Sequence, residues 1–149
     1  MLVALAMAIL SPTSPQQAIA ERAARIVEDV CLPFAGVGTD LPRASKNAVA
    51  LGLSSGGLVA GNHVFTSPDI EVNMMQSGAK RFCYVNLPRT RSLSTADVAP
   101  LEKFASARLL KRVAAEGQLR WESPSLIFVA MMDEDDEGNP FVGLSLISK

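Results

Sequence analysis

The chain has one histidine, one tryptophan, one tyrosine and two cysteines in 149 residues. Each scarcity removes a chemistry. With His63 alone and no G-x-S-x-G, spacing assigns no Ser–His–Asp set. Two cysteines and one histidine fall short of the four ligands that zinc usually takes. There is neither a Gly-Lys-Ser/Thr nor a G-x-G-x-x-G, so the glycine-rich residues 54–62 (SSGGLVAGN) read as a flexible connector and not as a phosphate cradle. A strong positive balance is also missing. The formal net charge is −1, and only Trp121 and Tyr84 are offered for stacking on bases, which argues against a nucleic-acid partner. No residue pattern calls for a cofactor.

What is present suits one folded domain. Hydrophobic residues make up 48% and charged residues 19%, enough to build a core at this length. No internal repeat and no dividing linker is visible.

The start of the chain has the layout of a secretory signal peptide. Residues 2–10 (LVALAMAIL) form an apolar run, Pro12 and Pro15 break it, and Ala18-Ile19-Ala20 matches a small-x-small cleavage site. The run is shorter than the roughly 20 apolar residues a membrane span needs. Residues 1–20 are therefore expected to be a leader cut after Ala20. Residues 21–149 are then a single domain in the periplasm or outside the cell, with no transmembrane segment after cleavage. No Lys or Arg precedes the run. The competing reading is a cytosolic domain with an apolar first helix.

Two cysteines in an exported chain invite one disulfide, Cys31–Cys83. On the chain-entropy model such a bridge removes about 4 kcal/mol of unfolded-state freedom. Two buried free thiols are the alternative. The pair is not C-x-x-C, which favours an inert bridge over a redox couple.

Residues 21–30 (ERAARIVEDV), extending back to Gln16 at most, read as an amphipathic helix that stops near Cys31, ahead of Pro33. A short second helix is expected over residues 45–53. Residues 69–75 alternate, with Ile70, Val72 and Met74 on one face. Residues 76–79 suit a hairpin turn, and residues 80–87 an antiparallel partner that turns Cys83, Val85 and Leu87 toward Cys31. Ser94-Thr95-Ala96-Asp97 is a capping box that opens a long helix to about Glu116, with Val98, Leu101, Ala105, Leu109 and Val113 as its buried stripe. Residues 125–132 (SLIFVAMM) read as a strand covered on both faces, and residues 141–147 as the last strand. The fold class is α+β: an antiparallel sheet of four to five strands with two main helices packed on it.

Charge is unevenly placed. Nine Lys/Arg stand between Lys80 and Arg120, and five acids run from Asp133 to Glu137. Asp133, Asp135 and Glu137 resemble the first half of a calcium loop, but Leu144 stands where the bidentate Glu belongs. Arg89, Arg91, Lys103, Lys111, Arg120 and Trp121 are the candidate surface for an anionic ligand or a partner. No catalytic residue is assigned. The sequence thus favours an exported, disulfide-stapled protein that binds another envelope protein or a small ligand. An enzyme with dispersed residues near His63 is the alternative, recognisable by His63 clustered with carboxylates or serines in one pocket. An exposed apolar patch without such a cluster favours the binder.

Overall fold

The computed structural model describes residues 15–36, 38–88, 90 and 92–149. Its sheet has eight antiparallel strands where four to five are expected: β1 Ser54–Val59, β2 Asn62–Thr66, β3 Glu71–Ser77, β4 Lys80–Pro88, β5 Lys111–Val113, β6 Gln118–Glu122, β7 Leu126–Glu134 and β8 Pro140–Ser148. Among the described residues the helices make three rods, the two main ones and the short one, which starts earlier than the expected residues 45–53. In the first, α1 (Pro15–Ile26) runs through a π-helical turn (Val27–Cys31) into α2 (Leu32–Ala35). The others are α3 (Leu41–Ala50) and α4 (Thr95–Ala107). The α+β class stands.

The strand order is β1-β2-β3-β4-β8-β7-β6-β5. Each half of the chain is a helical segment followed by a four-stranded meander. The two meanders meet through their last strands, where Val85 pairs with Leu144.

Three of the added strands lie where the sequence pattern misleads. The glycines of residues 54–62 do not make a loose connector. They place a bulge in edge strand β1, where the register shifts between Ser55 and Gly57, and Gly57 takes φ +76°. The Ala60-Gly61 turn, with both residues at positive φ, then returns the chain as β2. The long helix ends at Ala107 and not near Glu116. Its capping box forms as expected, with Ser94 and Asp97 bonded reciprocally. Pro100 sits inside it and has no N–H for the carbonyl of Ala96. The end is closed by bonds from Leu110 N to the Ala105 carbonyl and from Leu109 N to the Ser106 carbonyl. Leu109 takes φ +57° there and is 83% exposed, so it leaves the stripe assigned to it. Lys111–Val113 then pairs with β6, which places Arg112 opposite Trp121.

All helices of the described residues lie on one face of the sheet. Met74, Cys83, Leu146, Phe128 and Trp121 are successive cross-strand neighbours on that face, all buried. Ile26, Val27, Val30, Phe34, Leu101 and Phe104 complete the core from the helices. Phe104 meets Phe128 edge-on at 5.1 Å, and Trp121 stacks on Phe128 at 5.1 Å. Each large side chain buried this way contributes roughly 1.5–3 kcal/mol. The Cys31–Cys83 disulfide is present, across 52 residues, and joins the π turn to β4. Two residues before Cys83, Arg81 donates from Nε and Nη2 to the carbonyls of Phe34 and Gly36, closing the end of α2. Among the described residues no helix is long and apolar enough to cross a membrane.

Candidate functional site

Among the described residues, the other face of the sheet carries no helix. Strand alternation fixes which side chains point to it, because neighbours of the core residues face away. Its middle row runs from Val64 through Asn73, Tyr84, Ser145 and Val129 to Arg120. One row toward the β4 N-terminus lie Met75, Phe82, Ile147 and Ile127. One row the other way lie Glu71, Asn86, Gly143 and Met131, and beyond them Phe141 and Asp133. Phe82 and Tyr84 stack at 6.1 Å with their rings 6° from parallel.

An antiparallel sheet with one face in water normally alternates apolar with polar residues. The central strands here do not. β4, β8 and β7 place Phe82, Tyr84, Ile147, Ile127, Val129 and Met131 on the helix-free side. The apolar run of β7, read as covered on both faces, is covered by helices on one only. Gly143 adds no side chain to this face, and those of its neighbours close over it. A Cβ there would sit 3.6 Å from Phe141 Cε2 and 3.7 Å from Asn86 Oδ1 and Met131 Cγ.

The flank of the face is charged and internally paired. Glu122 takes Lys149 Nζ at 2.7 Å and Arg120 Nε at 2.6 Å. The Lys149 ammonium, then the Arg120 guanidinium, hold its carboxyl below the usual carboxylate range.

Residues singled out from the sequence do not gather in one place. Arg89 and Arg91 lie outside the described residues. Lys103 is exposed on α4 and Lys111 on β5. Arg120 points to the helix-free face, whereas Trp121 is 1% exposed on the opposite one. Glu102 holds Trp121 there through Nε1 at 3.0 Å and takes Arg112 Nη1 at 2.6 Å, while the guanidinium lies 5.1 Å from the indole centroid.

His63 shares a shallow cleft with Ser45, Lys46 and Ser55, and no carboxylate lines it. In the β7–β8 hairpin the oxygens of Asp135 take the N–H groups of Glu137 and Asn139 and the Asn139 amide. Asp135 therefore shapes the turn. Among the described residues no three His, Cys, Asp or Glu gather as a metal would require. A further cleft of about 620 Å³ opens between α4 and the β6–β7 hairpin, lined by Leu93, Val98, Leu119, Ala130 and Met131 with Arg112 at its side.

The helix-free face was only partly visible in the sequence. The signal was the unbroken apolar run of β7, beside Phe82-x-Tyr84 in β4. Comparison with protein-family models, with curated proteins and with solved structures gives no match.

Proposed function

We propose that this is an exported, disulfide-stapled protein that acts by binding, with the helix-free face of the sheet as its working surface. One observation carries the reading: Met75, Phe82, Ile147 and Ile127 form an unbroken apolar row across four adjacent strands of that face, with Tyr84 and Val129 beside it, where a solvated face would carry polar residues. The buried Cys31–Cys83 bridge is in keeping with an oxidising compartment. The cleft at His63 gathers Ser45 and Ser55 beside the imidazole, as the enzyme alternative asks, but among the described residues no carboxylate lines it to orient the ring, and the binding reading is preferred on the face described above.

The test is site-specific photo-crosslinking in the native host. A photoreactive residue at Tyr84, on the face, is compared with one at Lys103, on the helix side. Adducts formed at Tyr84 and not at Lys103 support the reading. No adduct at Tyr84 at native expression levels counts against it.

The apolar cleft beside α4 favours a second reading, a small amphipathic ligand with a carboxylate set toward Arg112. A fatty carboxylate that raises Tm in the parent and not in Val98→Trp would support that site. An equal rise in both would remove it.

A further inference from the structure

The binding reading leaves the partner of the helix-free face unnamed. Resting on that reading, we infer that the partner is a second copy of this chain, stacked face to face with its strands aligned and reversed end for end.

Charge selects the arrangement. Among the described residues, Glu71 on β3 and Asp133 on β7 mark one end of the face. The other end carries Lys80, paired with Ser77, Lys149, whose N–H bonds the carbonyl of Ser125, and Lys111, against one described acid, Glu122, which Lys149 holds. A two-fold axis along the strands would lay acid over acid and base over base. A two-fold axis across the strands, through the Tyr84–Ser145–Val129 row, lays each acidic end over the basic end of the other copy. Such complementarity fixes orientation and register. A two-fold interface must be self-complementary in this way.

Shape agrees with the same axis. It exchanges the row on one side of Tyr84 with the row on the other. Ile147 of each copy then stands over Gly143 of the other, the position of the row that adds no side chain between Phe141, Asn86 and Met131. Sheets stacked face to face pack about 10 Å apart, and side chains from the two faces interdigitate. Size is adequate. Strand spacing and rise make the patch, six strands by seven residues, about 29 by 23 Å. Two such patches cover roughly 1,300 Å², at the lower end of specific interfaces.

The experiment is sedimentation velocity of the full chain, as purified, over a dilution series. A monomer–dimer equilibrium is expected. Val129→Glu places a charge at the centre of the stack and should weaken association at least about a hundredfold. Val129 is only 7% exposed in the monomer, so Ile127→Glu, at a half-buried position of the same face, is measured beside it and should weaken association likewise, with circular dichroism and cooperative unfolding retained. Lys80→Glu alone should weaken the dimer, and Glu71→Lys added to it should restore it. A dimer indifferent to Val129→Glu lies elsewhere and overturns the inference. Failure of the double reversal to restore overturns the transverse axis. A monomer at every concentration, with adducts at Tyr84 to another molecule, overturns the second copy and leaves the binding reading standing. A monomer with no Tyr84 adduct ends both. A monomer that dimerises only after residues 1–14 are removed would assign the face to the chain's own N-terminus, which also overturns the inference.

Discussion

The side-chain amide of Asn47, on α3, donates to the backbone carbonyl of Asp29 at 2.6 Å. Pro33 has no N–H to offer the carbonyl four residues back, and that carbonyl belongs to Asp29. The first rod continues past a proline because another helix supplies the missing donor. The π turn belongs to the same adjustment, with Leu32 N bonded to Val27 O. Replacing Asn47 by Ala should cost about 1–2 kcal/mol in urea unfolding. Pro33→Ala returns an N–H to the rod, so Asn47→Ala should cost less in that background. Equal losses in both backgrounds would break the link between Asn47 and Pro33.

The bridge between the π turn and β4 should be the largest single contribution to stability. With its cysteines 52 residues apart, the chain-entropy model gives about 4 kcal/mol. Cys31→Ala with Cys83→Ala should lower Tm by roughly 8–16 °C, judged from a chain of this size. A calorimetric shift under a few degrees would mean that the unfolded chain is already compact around this contact.

Leu109 holds a backbone conformation that suits glycine. It is the left-handed residue that ends α4, at φ +57°, and its side chain is 83% exposed. Leu109→Gly should stabilise the protein by about 1 kcal/mol, because a side chain in that conformation crowds the following carbonyl. Leu109→Ala keeps the crowding and should change little. If the two substitutions give the same urea midpoint, the strain assigned to Leu109 is absent.

These residues show which parts of the fold were legible. The alternation of Ile70, Val72 and Met74 marks β3 because one face of that strand is buried and the other is not. The capping box of Ser94 and Asp97 marks a helix start because its bonds are local. The end of α4 was hidden, since Leu109 and Val113 keep helical spacing with the core residues before them, although the chain has left the helix. β1 was hidden because an edge strand buries nothing: all six of its residues are exposed. The helix-free face could not be read from β7 alone. Which side a helix covers depends on where α4 and the disulfide lie, and neither is encoded within the strand.

Asp135 should govern part of the acid response. The N–H of Asn139, at 2.8 Å, is the main reason its carboxyl sits below the ordinary 3.8, helped by the Asn139 amide and the Glu137 N–H. A carboxyl lowered on folding adds stability above its unfolded value. That stability is lost as pH falls through the folded value. Asp135→Ala should therefore lower stability at neutral pH, and the two stability curves should converge below the carboxylate range. Parallel curves down to strong acid would show that the turn bonds do not favour the ionised form. The acid limb of an Asp135 NMR titration, displaced below that of a free aspartate, is the direct check.

The boundary expected for the leader falls inside α1. Ala20 is 3% exposed in that helix. One turn earlier, Gln16 donates to the Ser92 carbonyl at 2.6 Å and to Asp97 Oδ2 at 2.9 Å. Asp97 is itself buried and also takes the Ser94 N–H. Cleavage after Ala20 would remove these bonds at a cost of about 1–2 kcal/mol. A mature protein beginning at Glu21 should therefore be less stable than a chain that keeps residues 15–20. Export predicts that start, with two alkylatable thiols appearing only after reduction. Intact mass of the protein from its native host, with and without reduction and alkylation, measures both. An N-terminus upstream of Gln16 would make the whole of α1 part of the mature domain and remove the boundary after Ala20. The uncut chain with two free thiols would remove export and the bridge together, and the apolar run of residues 2–10 would then be a segment of a cytosolic protein.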